Sequence, residues 1–314
     1  PVSINSNLST FLRHYINIPI TLCVQLFGVH RIDDYTANSA VYVQDLIDKI
    51  QGRGVEYRCG EHGMIEDVSQ RKPEKKKSAT EPAKDLLLAT SSMPGHRFTI
   101  KTKDGSTHEF DYVVLAAGVN TPLFARKLDV GECCPTYPLR GYSLTIYTNH
   151  TNEEDGNGRL KTGKSSNLLN MPVSIDDMYC SSVGANMARM AGFGELVGYR
   201  DKAEHVPSLA PRVMARYAQA LFPESINVTD ETALQCFRPM SPDDIPIVGE
   251  VRSVPGLYLH TGHGTLGWTL CLATSECLAQ ALHDDIEGNT TQTTYKLPGD
   301  VTVDRALLSP NRFV

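Results

Sequence analysis

Gly256-Leu-Tyr-Leu-His-Thr-Gly-His-Gly-Thr-Leu-Gly267, continuing through Trp268 to His283, reads as strand, glycine loop and helix. Leu257, Tyr258 and Leu259 form a short apolar run behind the turn signal Pro255-Gly256. Past the loop, Leu270, Ala273, Cys277 and Ala281 recur at helical spacing, and so do Cys271, Thr274, Leu278 and Leu282. Two adjacent stripes of this kind predict a helix packed broadly on a sheet. The loop itself is a literal G-x-G-x-x-G, in which backbone N–H groups approach a ligand closely and the helix start favours negative charge.

That pattern invites reading as a dinucleotide fingerprint, with Asp284 or Asp285 as the ribose-binding acid. Its position argues otherwise. Such a fingerprint opens a domain and needs further βα units after it. The residues beyond Asp284 are rich in Gly, Pro, Asn and Thr and hold no second βαβ pattern. A loop for another kind of cofactor, or a purely structural glycine turn, remain the competing readings.

Working outward, Asp111-Tyr-Val-Val-Leu-Ala-Ala-Gly118 has four apolar residues and then small ones, as in a buried parallel strand that ends in a tight turn. Asn120-Thr-Pro122 then starts a helix. Arg97–Thr102 and His108–Phe110, joined by Asp104-Gly105, predict a hairpin. Upstream, a helix is expected from Ala37 to Gln51, stopped by Gly52 and Gly54, and Val55–Cys59 alternates as a strand does. Between Tyr137 and Gly198 the pattern becomes antiparallel: Tyr142–Tyr147, Met178–Val183 and Met187–Met190 read as strands, followed by a helix from Pro211 to Phe222. Strands return at Ala233–Phe237 and Ile247–Gly249, with Pro239 expected to end the former just past Arg238. Polar stretches at 69–90 and 150–167 read as surface insertions. The expected domains are 1–128 with 236–314, and 129–235 inserted between them.

The 314 residues are 41% hydrophobic and 21% charged, ordinary for a globular chain, and a net charge of −6 gives no basic field for nucleic acid. The eight cysteines contain no C-x-x-C pair, so reduced thiols in an intracellular compartment, cytoplasmic or mitochondrial, are expected and no metal-ligand set is read. The longest apolar run, Ile18 to Val29, is broken by Pro19, Gln25 and Gly28, so no transmembrane segment is expected. The chain starts at Pro1, which suggests a processed or truncated form.

Several blocks together resemble a known family. Tyr137–Ile146, Arg189–Tyr199, Arg238-Pro-Met-Ser-Pro-Asp243 with Pro246–Gly249, and Leu259–Thr269 are similar to the small subunit of D-amino-acid dehydrogenase, of the FAD-dependent D-amino-acid oxidase superfamily. The resemblance implies an α/β FAD-binding domain, incomplete because its first βαβ unit has no counterpart here, with an inserted antiparallel α+β substrate domain. It implies FAD as cofactor, held by Ala116, Ala117, Gly118 and by Gly262, His263, Gly264, Thr265, Leu266 and Gly267. It implies an amino-acid substrate bound by Arg238 and Tyr179, with His263 also close to the substrate. It further implies oxidative deamination, with hydride passing from Cα to the flavin, and a separate chain or N-terminal segment completing the FAD site. The sequence departs from the family at Leu234–Phe237, where a Trp is usual, and at Met187, where an Arg is usual. A non-catalytic remnant or subunit that kept the fold for an interaction is the alternative.

Overall fold

The computed structural model describes residues 39–71, 97–148, 173–175, 178–184, 187–199, 209–222, 225–226, 233–289 and 291–314. Most of both expected polar insertions, 72–90 and 150–167, lies outside the described residues. The chain divides into two compact units. One comprises residues 1–49 with Arg140–Cys236, the other Ile50–Leu139 with Phe237–Val314.

Helix α1 (Ser39–Gln51) matches the expected span, but it buries none of its residues, and Val41, Val43 and Leu46 are exposed. Val55–Cys59 is irregular and exposed, not a strand. Its alternating pattern finds no neighbouring strand among the described residues, and an extended segment without a ladder has no reason to persist. The first strand is instead β1 (Ile65–Gln70), so Ser69 and Gln70 belong to a sheet and not to the polar insertion. It pairs antiparallel with β2 (Phe98–Thr102), which pairs antiparallel with β3 (Thr107–Phe110). Gly105, at φ 86, supplies the left-handed residue that the hairpin turn requires. Strand β4 (Val113–Leu115) and helix α2 (Thr121–Lys127) follow, as the sequence predicts.

A second sheet is made of β5 (Tyr137–Thr148), β6 (Val173–Ile175), β7 (Met178–Gly184), β8 (Met187–Leu196), β9 (Ser225–Ile226) and β10 (Leu234–Met240), in the order β10-β5-β8-β7-β6 with β9 against β5; it belongs to the unit of Arg140–Cys236 except for residues 137–139 of β5 and 237–240 of β10. The β6–β7, β7–β8 and β5–β9 pairs are antiparallel. Helix α3 (Ala210–Leu221) covers one face, where Met214 and Ala218 pack with Tyr142, Leu144, Ile146, Cys180 and Met190. Strand β10 runs through Arg238 and Pro239 to Met240, past the expected break. It is the last strand in the sheet order, and an outer edge needs no N–H from proline.

Strands β11 (Ile247–Glu250) and β12 (Leu257–Thr261) pair antiparallel, and β12 pairs in parallel with β4. Ile247, Leu257 and Leu259 face a core with Val68, Phe98, Val113 and Val130. Val248 and Tyr258 face the opposite side, against Cys277 and Ala281 of helix α4 (Gly267–Ile286). Burial on both faces explains why Leu257–Leu259 is continuously apolar, and each such side chain contributes roughly 1.5–3 kcal/mol. The hairpin β13 (Thr294–Leu297) and β14 (Val301–Asp304), with the short helix α5 (Arg305–Leu308), completes the unit. Val130, Cys133 and Cys134 are buried in this core. That packing places residues 129–139 here, where the sequence had started the inserted domain at 129.

Candidate functional site

Because β4 and β12 run in parallel, with Leu257 opposite Val113 and Leu259 opposite Leu115, their C-terminal ends lie side by side. Ala116, Ala117 and Gly118 leave one strand there, and Gly262 to Gly267 leave the other. The Thr261 hydroxyl donates to the Gly118 carbonyl at 3.1 Å and ties the two turns together. The structure thus brings together the two sets of residues that the family resemblance assigns to the cofactor.

Glycine is required at two positions of this loop. Gly262 has φ 75, and a Cβ there would meet Ile247 Cγ1 at 3.1 Å and Ser241 Cβ at 3.4 Å. Gly264 has φ 54, and its Cβ would fall 2.9 Å from Met240 Sδ. The close approach has a backbone cause, a bridge between Met240 and His263. The strand that carries Arg238 therefore ends against the glycine loop, two residues after the arginine.

A 3-10 turn, Gly264–Leu266, leads into α4, and neither the turn nor the helix has a side-chain cap at its start. The first N–H groups of a helix lack intrahelical partners and carry the positive end of its dipole. Twenty residues of helix thus point an uncapped, positive start at the glycine loop.

Behind the loop sits a cluster that sequence reasoning missed. The buried Thr274 hydroxyl lies 3.1 Å from His260 Nε2 and 3.0 Å from His263 Nε2, and it donates to Leu270 O at 2.9 Å. A hydroxyl has one hydrogen and two lone pairs. With its hydrogen on Leu270, both imidazoles must donate from Nε2, which leaves each Nδ1 as a bare acceptor. The rings meet edge to face, 4.8 Å between centroids. Burial lowers the His260 pKa, while burial and then the His260 neighbour lower that of His263 to about 4. His263 is therefore a neutral hydrogen-bonding group. The signal was present, since Thr274 falls on one of the helix stripes, but it was counted there as packing.

Two buried hydroxyls, Thr121 Oγ1 and Ser241 Oγ, have no hydrogen-bond partner. Thr121 opens α2 just after the Gly118 turn, and Ser241 lies against Gly262. Orphaned buried polar atoms call for an explanation, and a bound polar ligand is one. Together with the uncapped helix start, they fit the pyrimidine edge of a flavin, which offers acceptors and gains negative charge on reduction.

Of the substrate candidates, Arg238 lies half-buried in β10 and Tyr179 lies on β7 of the other unit, 45% exposed. Asp243 is held by Arg312, whose Nε donates to its carboxylate at 2.9 Å and keeps it below the usual carboxylate range.

Comparison with known proteins bears on this geometry. The model of the family described as FAD dependent oxidoreductase (DAO) matches residues 22–281. The chain belongs to that family. A D-amino acid dehydrogenase of Methylobacterium radiotolerans is 34% identical over 259 residues, covering 80% of this chain and 50% of the relative. One of Neisseria meningitidis serogroup C is 32% identical over 198 residues, covering 62% and 41%. The chain spans about half the length of the curated relatives it matches. Among solved structures, a modified fructosyl peptide oxidase from Aspergillus nidulans superposes with a TM-score of 0.52 at 15% identity, covering 80% of this chain and 55% of that one. The fold is that of the FAD-dependent oxidoreductases, and FAD is the family's cofactor. Among the described residues no helix is long and apolar enough to cross a membrane.

Proposed function

We propose that this chain is the flavin-facing and substrate-facing part of an FAD-dependent oxidoreductase that oxidises D-amino acids or related amines at Cα. When bound, FAD supplies the hydride acceptor. The backbone N–H groups of Gly262–Gly267 and the start of α4 would hold the pyrimidine edge and favour negative charge there. Ala116–Gly118 would line the adjoining turn. Arg238 receives the substrate carboxylate through two parallel N–H donors, a geometry that lysine cannot reproduce, and the Tyr179 hydroxyl steadies the substrate. His263, neutral and fixed by Thr274, offers its Nδ1 lone pair as an acceptor. A βαβ segment, on the same polypeptide or on a separate chain, completes the FAD site. The free thiols at Cys59, Cys133, Cys134, Cys180, Cys236, Cys271 and Cys277 support an intracellular compartment, cytoplasmic or mitochondrial.

The observation that carries this reading is the uncapped start of α4, brought beside the Ala116–Gly118 turn by the parallel register of β4 and β12. The D-amino acid dehydrogenases above support the substrate class. A second reading is a non-catalytic remnant or subunit that kept the fold for an interaction. A visible spectrum separates them. The purified chain, mixed with FAD and a βαβ-containing N-terminal fragment of the M. radiotolerans relative, is expected to retain a flavin band near about 450 nm that D-alanine bleaches. Retained flavin without bleaching favours the second reading, and no retained flavin refutes the cofactor assignment.

A further inference from the structure

The sheet of β5–β8 carries two arginines on opposite faces, and they are treated differently. Arg140 lies on the face covered by α3. Its side chain is 3% exposed and bonds Glu195 through both Nε, at 2.9 Å, and Nη2, while Tyr142 donates to the same carboxylate at 2.9 Å. Its charge is neutralised within the fold, as a buried charge must be.

Arg189 is the opposite case. In β8 its neighbours Ala188 and Met190 point into the core, so Arg189 projects from the other face, and it is exposed. Its Nε donates to Ser143 Oγ at 2.6 Å. Among the described residues that is its one side-chain hydrogen bond, and no carboxylate pairs with it. The Ser143 bond fixes the plane of the guanidinium and leaves its two Nη groups as donors. Ser181 stands directly across from Arg189 on β7, and Tyr179 stands across from Ala191, one step diagonally on the same face. Side chains at such diagonal positions are within reach of one another when they are long.

We propose that Arg189, oriented by Ser143, is a carboxylate-binding residue of the open sheet face and reads the acid group of the substrate. The identity of the ligand as an amino acid rests on the function proposed above. The anion site itself rests on the geometry of β5, β7 and β8. An arginine fixed at Nε presents a planar, two-donor edge that matches a carboxylate, and fixing it beforehand removes the ordering cost of binding. The hydroxyls of Ser181 and Tyr179 add neutral donors on the same face and no competing negative charge. Arg238 is the other guanidinium to which this role is assigned, and the two are separable by substitution.

The test is a titration of the full chain, labelled with 15N-arginine, followed through the Arg189 Nε–Hε resonance. The probes are acetate, D-alanine and D-alaninol, which lacks the carboxylate. Acetate and D-alanine should shift the resonance, and D-alaninol should not. Arg189→Gln should weaken D-alanine by about tenfold or more, and Arg189→Lys by nearly as much because the charge remains but the fork is lost. Ser143→Ala should weaken it about threefold by freeing the guanidinium. Circular dichroism of each variant establishes that the fold survives. No shift with either acid, or wild-type affinity in both Arg189 variants, overturns the proposal. Carboxylate binding that is lost in Arg238→Lys but kept in Arg189→Gln also overturns it, while leaving the functional reading intact. A shift with acetate that D-alanine does not exceed in affinity supports the anion site and counts against the amino-acid reading.

Discussion

Thr274→Val keeps the shape of a side chain and removes one hydroxyl that three groups share. The loss of the bond to Leu270 O, at 2.9 Å, should matter little, because that carbonyl keeps its helical N–H partner. The cost falls on His260 and His263, whose Nε2–H donors lose their acceptor at 3.1 and 3.0 Å. Leaving a buried donor unsatisfied costs about 1–3 kcal/mol. Both imidazoles are half-buried, so water relieves part of that and the lower end applies, about 1 kcal/mol each and about 2 kcal/mol together. The melting temperature should fall by about 4–8 °C. Thr274→Ser, which keeps the oxygen, should lose less than half as much. Long-range 15N spectra of the imidazoles report the tautomers directly, and in the wild type both should carry hydrogen on Nε2. An Nδ1–H tautomer at either histidine, or a Thr274→Val protein as stable as its parent, would refute the assignment of the hydroxyl as shared acceptor.

Two other outcomes follow from the same region. Gly264→Ala places a side chain at φ 54 and 2.9 Å from Met240 Sδ. The left-handed strain costs about 1–2 kcal/mol, and displacement of Met240 and the loop should lower FAD affinity by about tenfold or more, read by flavin fluorescence quenching in the complemented protein. Unchanged affinity would remove the loop from the cofactor site. For pH, burial depresses the folded pKa of His260 and His263 below the ordinary 6.5. The unfolded chain then takes protons that the folded one refuses, so this contribution is present above pH 6.5 and is lost as pH falls through the range below it. Thermal melts from pH 7.5 to 5 should show the decline, and His263→Gln should flatten it.

Much of the architecture was legible because local pattern and tertiary role agreed. Asp111–Gly118 read as a parallel strand from its apolar run, and the structure pairs it with β12. The Asp104-Gly105 hairpin was legible for the same reason. Val55–Cys59 was misread because alternation records only which way side chains point, not whether a neighbouring strand exists. The end of β10 was misread because proline excludes a strand from the interior of a sheet but not from its rim. The glycine loop and the Ala116–Gly118 turn were found separately in the sequence, and the parallel register of β4 and β12 made them one place. Thr274 showed in the sequence only as a member of a helix stripe, because a buried hydroxyl looks like any small residue until its hydrogen-bond partners are placed around it.

Phe193, with φ 60, is one of the described residues that adopt left-handed backbone without being glycine. Ala188 and Met190 face the core, so simple alternation would send Glu195 to the open face, yet its carboxylate meets Arg140 on the core side. The left-handed residue shifts the strand's parity by one, as a bulge does. In effect β8 is written in two reading frames that meet at Phe193. Inserting one residue between Phe193 and Glu195 would turn Glu195 to the open face and away from a buried guanidinium, whose isolation costs roughly 3–5 kcal/mol. At this point the number of residues, more than their identity, carries the instruction.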